Sequence, residues 1–538
     1  MALPVPLAVR LLTSRADRLL VDDLRDIQYR STMPGGFASA TITLDRPLII
    51  DPAEIDLYAH LWVYDRSGGT QWEGRLWEPD RSVSADGQIW KLAAVGPSAH
   101  AEDRNEPYVP VDTSIDDFEM FGGSRPTGSV SQATTPDSTE DGVKCQIGSG
   151  DATPTNGYVA ARSLRVQNAG MKLARVSASV VGGGNAALWR CRGYAYGPND
   201  DPDQLFDLPL STTASHGNAA VIGEDFADGQ YAPYFRIERA GDATPADGNA
   251  WALFFRIVIR TALLHEYGAP VTDYSNDFVY AHEIVADILG RWLPKFSGAK
   301  AFIEETSFQI DQLSWPNGVT PAQVLARLME LEPGYTWGAW ESEPTTGLHR
   351  FEWIKWPNTV ELEADIDDGF DGPGSAADLR NRVTVVWRDR KKRYRSTSVD
   401  NPVPALTAAG LIRQDRLDLG EDSGSSRNAQ RAADAFLDEH SVPPNAGTLV
   451  VGRAILNIRT GRMLNPWELR PGVLIRVRGI RPYPDSLNAV SRDGWTVFRV
   501  VSTDYSSATG LARLELDSFS RSTARAIADL RNQFRRRH

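Results

Sequence analysis

The sequence predicts a mainly β (α+β) fold with two related β-barrel domains, a small α+β domain and an inserted β-sandwich. Three observations carry this prediction. Short β-branched and apolar runs alternate with turns rich in Gly, Pro, Asp and Ser along most of the chain. Residues 469–519 read as a meander that closes into a small barrel: Val473, Ile475 and Val477 alternate with other residues, then 497–501 and 511–516 supply two further runs. Residues 57–96 repeat that order of parts. Arg75, Asp80 and Ser82 have the mutual spacing of Arg499, Asp504 and Ser506, with Gly87 and Gly510 opening the next strand.

Taken in order, residues 1–105 form the first barrel, from runs at 7–12, 27–30 and 38–44 and the repeated module, with Pro34, Gly35 and Gly36 marking a tight turn. Residues 106–268 shift toward Gly, Ser, Thr, Asp and Asn, with long polar loops between strand-like runs; this is the expected inserted β-sandwich. Helical signals appear in 269–365. Ile284, Val285, Ile288, Leu289, Trp292 and Leu293 share one face of a segment that Pro294 ends. Thr320, Pro321 and Gln323 spell a capping box ahead of a stripe of Val324, Leu325 and Leu328. Residues 366–520 form the second barrel. They open on an acidic Gly-rich linker or loop at 365–375 and carry a helix at 426–440 with Ala429, Ala432, Ala433, Phe436 and Leu437 inward. Residues 521–538 predict a helix with a basic end.

Length and composition exclude several classes. A chain of 538 residues holds several domains, each with its own core. Apolar content of 41% and charged content of 24% describe a globular protein, not a disordered one. A net charge of -13 argues against a broad basic surface, so no specific nucleic-acid binding is expected. The apolar start has no basic region before it, which disfavours a secretory signal, and no run is long enough to span a bilayer. Two cysteines, Cys145 and Cys191, provide neither a disulfide framework nor a cysteine-rich zinc site; buried thiols are expected.

Catalytic patterns are absent or broken. HEIVA at His282 lacks the second histidine of a zinc helix because Ala286 stands there. Ser98 in GPSAH and Ser423 in LGEDSGSS lack the closing glycine or a base at a known spacing. No nucleotide-binding glycine motif occurs. The expectation is therefore a non-enzyme with no cofactor and no metal, and the acidic turn Asn199-Asp200-Asp201 is read as solvated. Binding features lie in the insert, where Trp189, Tyr194, Tyr196 and Tyr158 are candidates to stack on a sugar ring while nearby Asp and Asn bond its hydroxyls.

The segments QWEGRLWEPDRS, VTPAQVLARLMELEPGYTWG, LRNRVTVVWRD, WELRPGVLIRVRG and FRVVSTDYSSATGLARLELDSF, in that order, resemble the tail-tip or baseplate hub proteins (minor tail proteins) of long-tailed bacteriophages, akin to the hubs of contractile-tail and type VI secretion spikes. The Arg-rich, Trp-rich style is similar to that of phages infecting actinobacteria. The resemblance implies a homotrimer whose six barrels match a hexameric tail tube. It also implies contacts with the distal tail protein ring, the tape-measure protein and other tail-tip proteins, and a place at the distal end of the virion after assembly in the host cytoplasm. Minimal hubs lack the insert, for which a host cell-surface glycan is the expected ligand. The competing readings are a tail-associated cell-wall hydrolase and a carbohydrate-binding surface protein.

Overall fold

The computed structural model describes residues 7–15, 17–20, 24–44, 55–84, 87–111, eleven strands between 118 and 261, 279–297, 302–306, 310, 313–332, 334–366, 369–372, 379–388, 394–419, 426–440, 446–480 and 495–518. The C-terminal helix expected at 521–538, Tyr196, the acidic turn at 199–201 and Ser423 lie outside these residues.

The first module contains β1 (Leu7–Leu12), β2 (Asp17–Leu20), β3 (Leu24–Thr32), β4 (Gly35–Leu44), β5 (His60–Asp65), β6 (Thr70–Ser84) and β7 (Gly87–Val95). They pair antiparallel in the order β3-β4-β7-β6-β5-β1-β2. Because successive residues of a strand face opposite sides, alternate positions turn inward: Leu7, Val9 and Leu11, then Ala40, Ile42 and Leu44, then Leu61 and Val63 are buried. The Pro-Gly-Gly turn forms between β3 and β4 as the sequence predicts. Gly36 has a φ of 82°, and a Cβ there would stand 2.1 Å from the backbone oxygen of Ala339, so only glycine lets the α+β strand approach.

After β8 (Glu106–Val111) come β9 (Phe118–Glu119), β10 (Gly128–Thr134), β11 (Asp141–Ile147), β12 (Tyr158–Ser163), β13 (Met171–Val181), β14 (Trp189–Tyr194), β15 (Gln204–Pro209), β16 (Ser211–His216), β17 (Ala219–Gln230), β18 (Tyr234–Arg239) and β19 (Trp251–Thr261). These eleven make two antiparallel sheets, β10-β11-β19-β13-β17-β16 and β15-β14-β18-β12-β9. Cys145 lies in the first sheet and Cys191 in the second.

The α+β part holds α1 (Ala281–Trp292), β20 (Phe296–Ser297), β21 (Leu313–Val319), α2 (Pro321–Leu331), β22 (Tyr335–Ser342) and β23 (His349–Lys355). Both helices bury the stripe that their sequence period marks, including Ile284, Val285, Ile288, Val324, Leu325 and Leu328. The capping box of α2 is formed: Gln323 N donates to Thr320 Oγ1 at 3.3 Å and Thr320 N to Gln323 Oε1 at 2.9 Å. Strand β21 pairs with β8, so the chain leaves for the insert and later returns beside the same strand.

Next come β24 (Val360–Asp365) and β25 (Phe370–Asp371), then β26 (Arg382–Arg388), β27 (Tyr394–Asp400), α3 (Pro404–Ala408), β28 (Gln414–Asp418) and α4 (Ser426–His440). The sheet β27-β26-β28 and α4 share a small core of Val383, Val385, Trp387, Ala429, Ala433 and Leu437. The stretch expected as a linker or loop carries the two-residue β25, because Phe370 packs 5.8 Å from Phe498 and its backbone pairs with Leu449. The second module closes the described chain with β29 (Gly447–Val451), β30 (Ile455–Asn457), β31 (Arg462–Leu464), β32 (Leu474–Arg478), β33 (Trp495–Ser506) and β34 (Leu511–Ser518).

The protein is mainly β, as expected. Its two modules are half-barrels of one continuous sheet, joined where β3 runs antiparallel to β33 and packed on one shared core.

Candidate assembly surface

The two modules match position by position. On one side of the long middle strand, His60, Leu61, Trp62 and Val63 pair with Arg75, Gly74, Glu73 and Trp72. In the second module Leu474, Ile475, Arg476 and Val477 pair with Arg499, Phe498, Val497 and Thr496. On the other side, Leu76 pairs with Ala94 and Glu78 with Ala93, skipping Trp77; Val500 pairs with Leu516 and Ser502 with Glu515, skipping Val501. The same one-residue bulge thus follows the same arginine.

The entries to β5 and β32 agree as well. Tyr58 N donates to Leu76 O at 2.8 Å, as Gly472 N does to Val500 O at 2.8 Å. Both residues have positive φ, 66° and 91°, and Tyr58 is the one non-glycine residue with positive φ among the described residues. Arg75, Asp80 and Ser82 stand in register with Arg499, Asp504 and Ser506, as their spacing predicts.

The modules meet along a seam. Gln28, Tyr29, Arg30, Ser31 and Thr32 of β3 pair with Ser506, Tyr505, Asp504, Thr503 and Ser502 of β33. Met33 N donates to Val501 O at 2.8 Å and Ser507 N to Ile27 O at 2.9 Å. The Tyr29 hydroxyl donates to Trp467 O at 2.5 Å, its ring lies 5.4 Å from that of Tyr505, and burial pushes its pKa well above the usual phenol value. Met33 is buried over Gly472, where a Cβ would come within 3.5 Å of its Cγ.

Glu78 to Ser82 of β6 pair with β7 on one side, and on the other, the side that matches the seam, they have no strand partner among the described residues. Beside it lies an exposed apolar patch: Leu57 is 59%, Tyr58 61% and Trp77 52% exposed. The Tyr58 and Trp77 rings meet edge to face at 6.0 Å, and the Arg75 guanidinium sits 5.5 Å and 5.9 Å from them. Asp103 accepts two 2.7 Å bonds from that guanidinium. Burial would raise the Asp103 carboxyl, but hydrogen bonds from Arg75 and His100 hold it below the usual carboxylate range. The patch is therefore apolar, with a guanidinium beside it whose charge Asp103 balances.

Inward of this patch, three histidines line the contact between the first module and the α+β part. His60 and His349 stack at 5.8 Å, and His100 lies 6.2 Å from His349. Burial lowers His349 to about 4 and also lowers His100. Glu73, 1% exposed, accepts from Ser342 N at 2.7 Å and bonds His60 Nε2 at 2.6 Å. Burial would raise its carboxyl, yet the bonds from His60 and Ser342 bring it below its ordinary value. These groups clamp two parts of the fold together, and among the described residues no group of three or more His, Cys, Asp or Glu is placed to hold a metal.

The side chains singled out for chemistry have structural partners. His282 Nδ1 accepts from Thr306 N at 3.0 Å, and the Ser98 hydroxyl donates to Phe37 O at 3.0 Å. Of the candidate glycan residues, Trp189 and Tyr194 sit at the two ends of β14 and Tyr158 at the start of β12, with β18 between these strands. Trp189 is opposite Arg239, Tyr194 opposite Tyr234 and Tyr158 opposite Glu238. One sheet thus holds the three. Sequence reasoning missed the Tyr58–Trp77 patch; the signal was Trp77, a large apolar residue at the bulge of a repeated strand.

No family model and no curated protein matches the sequence. Among solved structures the chain is similar to the tail protein from Neisseria meningitidis MC58, at 10% identity and a TM-score of 0.44, covering 96% of this chain and 98% of that one. It is similar to the 43 kDa tail protein of prophage MuSo2 from Shewanella oneidensis, at 11% identity and 0.38, covering 96% and 99%. A third is the prophage tail protein gp18 from Listeria monocytogenes, at 8% identity and 0.35, covering 98% of each chain.

Proposed function

We propose that this chain is a non-enzymatic phage tail protein: a trimeric tail-tip hub that closes the hexameric tail tube and adapts sixfold to threefold symmetry. The observation that carries the reading is the pair of half-barrels with one register and one bulge position, hydrogen-bonded side by side in a single chain. Three copies of two related surfaces present six near-equivalent contacts, which is what a sixfold ring above requires. In this reading residues 1–105 and 366–520 are the ring-forming domains, 269–365 braces them, and the distal tail protein ring and tape-measure protein are the neighbours. The insert, 106–268, points to the host and holds cell-surface glycan through Trp189, Tyr194, Tyr196 and Tyr158, the first, second and fourth of which share one sheet.

The test is the mass of the purified chain in solution, followed by an image of the particle. Three copies in a six-lobed ring are expected; a monomer at micromolar concentration overturns the hub. Retention on purified cell wall that falls with Trp189→Ala supports the glycan role, and equal retention of the variant removes it.

A further inference from the structure

We infer that the tip of the β22–β23 hairpin, Ser342 to His349, is a latch on the first module that acid releases through its histidines while both half-barrels stay folded. The latch is independent of the hub reading.

The hairpin is built in two parts. Tyr335 to Ala339 pair regularly with Phe351 to Lys355, the ladder then slips, and Ser342 pairs with His349 beyond the irregularity. The inner part is pinned: Gly338 and Ala339 run beside Gly35 and Gly36, and the Trp340 ring meets Phe37 edge to face at 5.4 Å. The outer part is held through a carboxylate. Glu73 of β6 accepts from Ser342 N at 2.7 Å and from the Ser342 hydroxyl at 2.6 Å, and its Oε1 also bonds His60 Nε2 of β5. His349 is buried beside it, stacked on His60, and its own amide donates to Lys295 O at 2.8 Å. Pro344 to Gly347 are exposed to solvent, which leaves the tip room to lift.

The charges around His349 give the latch its sense. Glu73 and His60 face it from β6 and β5, His100 from the turn Pro97–Glu102, and Lys295, whose charge acts on His100, from the approach to β20. Behind His100, Arg75 takes both oxygens of Asp103. On the hairpin itself Glu341 and Arg350 pair with each other at 3.7 Å, and Glu343 accepts from the Thr346 hydroxyl. Glu73 already takes three bonds and lies 3.8 Å from His349 Nδ1, which instead sits 3.3 Å from Trp340 O. A proton added to His349 therefore finds no carboxylate of its own, and one added to His100 shares Asp103 with Arg75. Two such cations 6.2 Å apart and out of water repel, and lifting the tip returns both to solvent. Burial keeps His349 neutral in the closed latch down to about 4, against an ordinary 6.5. The open form binds the extra proton between these values, so acid favours it. His100, lowered by the same burial, acts in the same sense. For His349 alone the open fraction rises about twentyfold from about pH 7 to about pH 5.

The experiment is hydrogen exchange on the full chain at about pH 7 and about pH 5, read by mass spectrometry and corrected for the change in intrinsic rate. A peptide covering Glu341 to Arg350 should lose protection about twentyfold or more, because the latch covers its Ser342 and His349 amides. Peptides covering Tyr335 to Ala339 and the seam residues Gln28 to Thr32 should keep theirs. The double variant His100→Gln with His349→Gln, neutral at both pH values, should keep the tip protected in acid. Three results overturn the latch: a tip equally protected at both pH values, a tip that loses protection together with the seam, or a double variant that opens as the parent does. The parent's own profile decides the first two, so a variant that fails to fold leaves the test intact.

Discussion

Tyr58 keeps a φ of 66° where the matching residue of the second module is Gly472. A left-handed backbone costs a residue with a Cβ about 1–2 kcal/mol, a cost that glycine escapes. The exposed ring gives nothing back within the chain except its contacts with Trp77 and Arg75. Tyr58→Gly is therefore expected to raise the stability of the isolated chain by about 1 kcal/mol, seen as a higher thermal midpoint, while weakening association measured by sedimentation. A lower midpoint with unchanged association would show that the ring serves the fold. His349 sets the response to acid. Folded, it stays neutral down to about pH 4, whereas the unfolded chain takes up that proton near 6.5. Above the unfolded value its contribution is complete; it is lost as pH falls through the window between the two values and is constant below them. His100, lowered by the same burial, adds to the loss, while Glu73, whose carboxyl is depressed, adds a further loss below its ordinary value of 4.5. From about pH 7 to about pH 5 the His349 part is about 2 kcal/mol. His349→Gln should flatten the decline in thermal midpoint over that range, and an equally steep decline would remove the histidine from the account.

At the scale of elements, the contact between α1 and β8 carries the attachment of the insert. Asp287 is fully buried on α1, where it accepts from the Tyr108 hydroxyl at 2.6 Å and from Arg291 Nη2 at 3.0 Å. Asp287→Ala leaves a buried hydroxyl and a half-buried guanidinium without that acceptor, with an expected cost of about 3–5 kcal/mol. Limited proteolysis should then cut between β8 and β21 well before it cuts the modules; an unchanged cleavage pattern would place the tie elsewhere. The elements themselves were legible in the sequence wherever the signal is local. The α2 cap, the α4 stripe and the Pro-Gly-Gly turn each lie within a few residues and follow their own chemistry. The spacing of Arg75, Asp80 and Ser82 foretold the register because a strand advances at a fixed rise, so equal spacing on equal strands yields equal pairing. The seam between β3 and β33 was not legible, since Gln28 and Ser506 are far apart in sequence and nothing near either one encodes the other. Phe370 was hidden for a related reason: two strand residues inside an acidic Gly-rich stretch read as a loop until Phe498 supplies the contact.

At the scale of the whole molecule, the seam inside the chain and the contacts between copies that the hub reading requires differ in how they respond to dilution. The β3–β33 pairing is intramolecular, so its amides stay protected at any protein concentration at which the chain is folded. A contact between copies is bimolecular, so its occupancy follows mass action and falls when the concentration drops below its dissociation constant. Hydrogen exchange read by mass spectrometry over a dilution series separates the two. Peptides covering Gln28 to Thr32 and Ser502 to Ser506 should exchange at one slow rate throughout. In the hub reading the edge of β6 from Glu78 to Ser82, which has no strand partner on the side away from β7 among the described residues, should exchange fast when dilute and slow when concentrated. The rate at Arg81 is the sharpest reporter, since its counterpart Tyr505 lies opposite Tyr29 in the covered seam, whereas Pro79 has no amide proton to report. Protection at Arg81 that does not vary with concentration would mean that the copies meet through another surface of the two half-barrels.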